Sequence, residues 1–404
     1  MTTQLPPIRP IKLTLGGTVP LADIIGRDET ADSLWQKVPR KSQRINEMRR
    51  FGKTSVLRLM EHRAPTGWIC VRTTVEDARC SADLMELTLG DLLAHASLGK
   101  QAREALKNII GGLAEVSGSA GPLSVQLKPE FRTSPSRAFR DVLRSVNKQL
   151  TEHDQRLLII WDEFPDAIRA IAEKERPAAA KDVLALFRAN RERDDSERIR
   201  WVLAGSVGFH HVLRLIGGHG ATLNDVSVHT LGTLSPEWTR WFVASLLLGI
   251  ARTANPDEID AIASVSGGIP FIAEMMVKHL QDVGPAASLP VTPAQADELL
   301  IDATAEESLG ADWVPLLSRV DDYYGDQAEL AEAILDRVAL LSMTEDSIAA
   351  ISEVSHSDAT AREVRTLLDL LEQDHYLQYD RHTRLYSWRH RPLQTIWRAL
   401  RKKV

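Results

Sequence analysis

Two short stretches of the chain hold residue types whose spacing suits phosphate chemistry. The first is Phe51-Gly-Lys-Thr-Ser55, between a short apolar element around Ile45 and a helical run over Ser55–Met60. A phosphate-binding loop needs inward backbone N–H groups, the positive end of a helix dipole and a lysine for the outer phosphates. A neighbouring hydroxyl then helps to hold Mg2+. Gly52, Lys53 and Thr54 supply the end of the pattern G-x-x-x-x-G-K-[ST], while Glu47 stands where its first glycine would be. Alone, G-K-T is a weak signal. The second stretch, Leu157-Leu-Ile-Ile-Trp-Asp-Glu163, reads as a buried strand ending in two carboxylates. At the C-terminal end of a parallel strand, Asp162 can complete a Mg2+ shell and Glu163 can polarise an attacking water. An ordinary strand followed by an acidic turn would look the same by itself, and the lysine loop upstream makes that reading the minor one.

Positioning these groups requires strands alternating with helices. Apolar, β-rich runs occur at Trp68–Val75, Leu157–Trp161 and Trp201–Ala204, with a weaker one over Val226–Leu231. Helical patterns lie between or beside them, at Glu29–Val38, Thr54–His62, Arg137–Leu150 and Ala179–Arg191. This alternation predicts an α/β domain with a largely parallel sheet. Residues 110–130, rich in Gly, Ser and Ala, are expected to form a surface loop or a small insertion.

The chain has 404 residues, 26% charged and 44% hydrophobic, with a net charge of −6 and two cysteines. That length suits two or three domains, and the composition excludes a mostly disordered, collagen-like or coiled-coil chain. Two cysteines cannot frame a disulfide scaffold or a four-ligand zinc site, so a cytoplasmic protein is expected. The opening MTTQLPPIRPIKL lacks the apolar core of a secretory signal. The most apolar run, Trp241–Ala251, is far shorter than the about 20 residues a membrane span needs, so no membrane partner is expected. The expected organisation is an extended lead-in over 1–20, a core over 21–234, a helical segment over 235–290 and a further domain over 291–404. Ser235-Pro236 is a good helix start, and Gly284–Pro293 reads as a linker.

Five boxes in order resemble the AAA+/STAND-like P-loop ATPases of bacteria and archaea. Asn46-Glu-Met-Arg-Arg-Phe-Gly-Lys-Thr-Ser55 is similar to their variant Walker A loop, with Met48 in place of the usual proline. Ile25-Gly-Arg-Asp-Glu29 resembles the upstream box that packs near the adenine, and Leu157–Phe164 the Walker B strand with its D-E-F extension. Ala204-Gly-Ser-Val-Gly208 resembles the next strand end, with Ser206 at the sensor position, and Ser266-Gly-Gly-Ile-Pro270 the G-G-x-P of a helical lid. The resemblance covers about Leu21 to Leu280 and, more loosely, a winged-helix C-terminus. It implies a parallel-sheet core with a lid and a winged helix, using ATP and Mg2+. The implied nucleotide-binding residues are Gly26, Arg27, Arg49, Arg50, Phe51, Gly52, Lys53, Thr54, Ser55 and Pro270. Thr54 and Asp162 would hold the metal, and Glu163, Lys53 and Ser206 would serve catalysis.

Other residues invite several readings. Arg49 and Arg50 can neutralise phosphates, lie solvated or pair with Glu47, and Arg214 is a surface arginine before it is an arginine finger. His210 and His211 lack a metal-ligand partner cluster, and Cys70 reads as core. Near the C-terminus, Val364, Leu367, Leu368 and Leu371 form a helical stripe, followed by a hairpin over Tyr376–Trp388. The last 24 residues carry eight Lys/Arg and no acid, with Tyr386, Trp388 and Trp397 interleaved. Arg384, Arg389, Arg391, Arg398, Arg401, Lys402 and Lys403 could therefore contact nucleic acid, the aromatics stacking on bases. A packing role for the wing is the competing view. The functional expectation is an ATP-hydrolysing switch acting through self-association (a homo-oligomer) or a protein effector. Its alternatives are a DNA-binding, initiator-like regulator and a degenerate scaffold without turnover.

Overall fold

The computed structural model describes residues 5–95, 100–117, 124–192, 197–205, 208–217, 223, 226–253, 255–284, 290–305, 313–348 and 360–401. By compactness the chain divides into two units. One comprises residues 27–49 and 53–231, and the other residues 1–26, 50–52 and 232–404.

The unit holding residues 27–49 and 53–231 is built on a five-stranded sheet in the order β2-β5-β6-β1-β7. The strands are β1 (Gln43–Asn46), β2 (Trp68–Thr74), β5 (Arg156–Asp162), β6 (Ile199–Gly205) and β7 (Ser227–His229). All pair in parallel, with β1 between β6 and β7. The connection leaving β1 runs to β2 on one side, whereas that leaving its neighbour β6 runs to β7 on the other, so the C-terminal ends of β1 and β6 flank the kind of switch point where open α/β sheets bind ligands. Leu157 to Asp162 are all buried, which explains why β5 reads as a continuous apolar run rather than an alternating one. Helices α1 (Asp28–Lys37), α2 (Lys53–His62), α3 (Ser81–Ala94), α4 (Lys100–Gly111), α5 (Pro129–Arg132), α6 (Pro135–Glu152), α7 (Phe164–Lys174), α8 (Pro177–Glu192) and α9 (Phe209–Leu215) complete it. In α6, Ala138, Phe139, Val142, Leu143, Val146 and Leu150 recur at helical spacing and are buried. Trp161 ties the core together: its ring stacks on Phe164, and its Nε1 donates to Thr88 Oγ1 at 2.8 Å.

The stretch expected to be a loop or small insertion contains an antiparallel hairpin, β3 (Ala114–Ser117) with β4 (Ser124–Leu127). It is anchored by apolar groups, Ala114, Val125 and Leu127 being buried in the core. The alternation Val125/Leu127 had been masked by flanking Gly and Ser.

In the other unit, α10 (Pro236–Gly249), α11 (Pro256–Ser266) and α12 (Pro270–Val283) are followed by α13 (Pro293–Ala305), α14 (Val314–Tyr324), α15 (Ala328–Leu340) and α16 (Ala361–Gln373). Ser235 caps α10 by accepting from the Trp238 N–H, with Pro236 at the first helical position. A hairpin of β8 (Leu377–Asp380) and β9 (Leu385–Trp388) precedes a final helix, α17 (Arg391–Leu400). The lead-in is not merely extended. Ile11 N–H donates to the Ser245 carbonyl at 3.0 Å and Trp241 Nε1 to the Pro6 carbonyl at 2.7 Å, so it is strapped onto α10.

This arrangement bears on the basic C-terminal run. Tyr386, Trp388 and Trp397 are buried, so none is available to stack on a base. Arg391 pairs with Asp297 at 2.8 Å, and Arg401 pairs with Glu332 at 3.0 Å and with Asp336 at 3.1 Å. Arg384 is exposed in the hairpin turn, and Arg389 and Arg398 are half-buried. Lys402 and Lys403 lie outside the described residues.

Candidate functional site

Strand β1 ends at Asn46, and the next six residues turn the chain into α2, whose first residue is Lys53. Gly52 makes the turn at φ 89°, a conformation open to glycine at little cost. Lys53 is only 5% exposed, and its Nζ donates to the carbonyls of Glu47 and Met48, both at 2.8 Å. The ammonium is thus fixed inside the loop by main-chain oxygens instead of extending into solvent. Thr54 follows at the helix N-terminus, where its Oγ1 donates to Asp162 Oδ2 at 3.0 Å. The parallel sheet order produces this meeting of residues far apart in sequence.

Asp162 closes β5, and Glu163 stands at φ 58° as the N-cap of α7. A left-handed backbone is strained for glutamate, and such strain concentrates at sites of chemistry. Asp162 Oδ1 and Glu163 Oε2 are buried and meet no hydrogen-bond donor among the described residues. Unpaired buried acceptors cost about 1–3 kcal/mol each, so two of them beside a threonine hydroxyl and a buried lysine make a donor set suited to a hard cation and a water. Burial pushes the Glu163 carboxyl above its ordinary range. The Lys53 charge opposes this, and Asp166 and Asp162 reinforce it.

The remaining predicted residues fall into distinct groups. Arg27 is 3% exposed, and burial pushes its guanidinium down to about 10 while the charge of Glu47 pulls it up. Glu47 is fully buried, and its Oε1 accepts from the Met48 N–H at 3.2 Å. The loop's acid is therefore compensated by Arg27, a partner the sequence had placed near the base and not against Glu47. Arg49 pairs with Glu76 at 3.2 Å. Arg50, at φ 70°, lies over the Phe271 ring 4.5 Å from its centroid. Phe51 is fully buried, its ring centroid 4.9 Å from that of His390, so only its main chain can serve a ligand. Ser55 is half-buried in the first turn of α2, and Pro270 opens α12. Gly26 has φ 61°, and a Cβ there would press on Leu234 and Trp238.

Ser206 lies outside the described residues. Arg214 is exposed on α9, His211 is buried and Cys70 is core. Among the described residues no cluster of three or more His, Cys, Asp or Glu could hold a metal. No described helix is long and apolar enough to cross a membrane. The Arg27–Glu47 pairing and the contacts of Arg50 were beyond sequence reasoning. The first had one signal, an acid inside a loop whose spacing suits phosphate.

No family model matches the sequence, and no curated protein matches it significantly. Solved structures do. A Walker-type ATPase of Pyrococcus abyssi superposes with a TM-score of 0.62 at 16% identity, over 95% of this chain and 99% of that one. The ORC2 protein of Aeropyrum pernix, solved as ADPNP–ADP complexes, gives a TM-score of 0.50 at 12% identity, over 93% of each chain. Identities this low speak to architecture alone. Together with the parallel five-stranded sheet and the loop between β1 and α2, they show that this chain shares the α/β fold of these two proteins.

Proposed function

We propose that the chain binds ATP with Mg2+, hydrolyses it, and uses the change of nucleotide state to govern self-association or a protein effector. The observation that carries this reading is the Thr54–Asp162 hydrogen bond, with unpaired Asp162 Oδ1 and Glu163 Oε2 beside it. Lys53 would meet the β- and γ-phosphates, and the N–H groups opening α2 would receive phosphate oxygens. Thr54 and Asp162 would hold Mg2+, which when bound supplies positive charge to the phosphate oxygens. Glu163 would orient the attacking water and accept its proton, a task suited to a carboxyl whose proton affinity is raised by burial. Ser206 is the proposed reporter of the γ-phosphate. Gly26 and Pro270 are kept as proposed base-side residues from the sequence resemblance alone, and Ser55 with the loop main chain is proposed to lie around the phosphates. Arg27 serves instead as the counter-ion of Glu47.

The helix, hairpin and helix formed by α16, β8, β9 and α17 support reading this segment as a winged helix. Its buried aromatics and paired arginines favour a packing or protein-contact role over nucleic-acid binding. A nucleotide can act as a switch only through different affinities for two conformations.

Equilibrium titration with a fluorescent ATP analogue, with and without Mg2+, tests the site. The wild type should bind, Lys53→Ala should lose binding, and Asp162→Asn should lose the Mg2+ dependence. Binding that is indifferent to all three perturbations would place the nucleotide elsewhere, and no binding at all would favour a scaffold.

A further inference from the structure

Arg50 sits in the middle of the phosphate loop, yet its side chain is engaged with the lead-in and with α12. Its guanidinium covers the Phe271 ring at 4.5 Å, and a Cβ added at Gly16 would collide with it. Gly16, at φ 82°, is thus the residue that lets the guanidinium lie against the lead-in backbone. One turn beyond Phe271, Glu274 is buried and gathers the same segment: Thr14 N–H at 3.2 Å, Thr14 Oγ1 at 3.1 Å and Leu15 N–H at 2.6 Å. Arg50 adds favourable charge to that buried carboxylate. The turn is held under strain, with Leu15 at φ 40° and Arg50 at φ 70°, both non-glycine residues in the left-handed region. Residues of four types therefore form one clamp: a loop arginine, an aromatic face, a buried acid and a strained lead-in turn.

We infer that Arg50 is a latch: its guanidinium secures the lead-in over residues 11–17 to α12, and a polyphosphate in the loop draws it away. A planar guanidinium can grip two oxygens of a phosphate at once, a stronger contact than an aromatic face offers. Leaving Phe271 also lets the residue 50 backbone relax. Loss of the arginine weakens the hold of Glu274 on Thr14 and Leu15, so the lead-in becomes the segment that reports loop occupancy. This rests on the nucleotide site proposed above.

Hydrogen exchange at the Thr14 and Leu15 amides of the full chain reads the latch directly, because both donate to Glu274. Mant-ATP binding is measured in parallel, and ATPγS with Mg2+ is the ligand in the exchange experiment. In the wild type, ATPγS should accelerate exchange at both amides at least tenfold. In Arg50→Ala, exchange should be fast with or without ATPγS. Phe271→Leu, outside the loop, should still bind mant-ATP while losing most of the nucleotide dependence, and Arg50→Lys should restore part of it. Wild-type protein that binds mant-ATP without any change at Thr14 and Leu15 overturns the latch alone. Protein that binds no mant-ATP overturns the nucleotide site and the trigger with it. Exchange in Arg50→Ala equal to that of the wild type without nucleotide overturns the clamp itself.

Discussion

Replacing Glu47 by glutamine should damage this protein more than restoring an uncharged loop residue would suggest. Glu47 is fully buried and Arg27 is 3% exposed, and the two interact electrostatically. Burial lowers Arg27 to about 10 with Glu47 beside it, so at pH 7.5 it is protonated in the wild type. Glutamine leaves that cation buried without a counter-charge. Leaving a buried charge without its nearby opposite charge costs about 3–5 kcal/mol when the two form a direct pair, and the lower end applies to this electrostatic interaction, since glutamine also still accepts from the Met48 N–H. With a urea m-value of about 2 kcal/mol/M, a loss of about 3 kcal/mol lowers the unfolding midpoint by about 1.5 M. Arg27→Met alone should cost a similar amount by stranding the Glu47 carboxylate. The double variant should recover most of the loss, giving a coupling energy of about 2–3 kcal/mol in the cycle. Urea titration followed by tryptophan fluorescence at pH 7.5 measures all four proteins. A midpoint shift below about 0.3 M for Glu47→Gln, or strictly additive single effects, would refute the compensated pair.

Three further outcomes follow from the same geometry. Lys53→Ala should weaken ATP binding at least 100-fold, about 2.7 kcal/mol, in a fluorescence titration; a change under fivefold would remove Lys53 from the phosphates. Glu163→Gln should be more thermostable than the wild type at pH 8, with the gap closing as pH falls. The reason is the sign of the shift: the folded-state affinity of Glu163 for its proton is raised by burial, so wild-type stability falls as pH rises from the unfolded to the folded pKa. A melting series across pH 4–8 checks this, and a gap that widens toward acid contradicts it. Trp397→Ala should destabilise the protein by about 3–5 kcal/mol, because the ring is fully buried and its Nε1 donates to Asp336 Oδ1 at 2.9 Å. Unchanged stability in denaturant would return Trp397 to the surface role that the basic run first suggested.

What could be read from the sequence was periodic or local. Leu157–Trp161 is apolar on both faces because β5 lies between parallel neighbours, and the helical stripe Val364, Leu367, Leu368 and Leu371 is buried as its spacing required. The meeting of Thr54 with Asp162 follows once both are placed at the C-terminal edge of one sheet. The rest depended on tertiary context. An acid in such a loop carries no local sign of its counter-charge, and Arg27, buried just before α1, supplies one electrostatically. The hairpin β3–β4 was hidden in a Gly/Ser-rich stretch whose few apolar residues gave too short a period to stand out. Within the basic run over 381–404 the sequence showed charge without its partners, and for Arg391 and Arg401 those partners, Asp297, Glu332 and Asp336, arrive from α13 and α15. Helix α17 was missed for the same reason: Leu393, Ile396 and Trp397 form its buried face between the arginines.

The most direct measurement is phosphate release in a single turnover of bound ATP with Mg2+, comparing the wild type with Glu163→Gln. The account predicts that both proteins bind ATP with similar affinity and that the wild type releases phosphate. Glu163→Gln should retain intact ATP, slower by at least 100-fold, because the group that orients the water is gone. Equal rates of phosphate release from the two proteins would contradict the assignment of Glu163 and, with it, the hydrolytic site built from Lys53, Thr54 and Asp162.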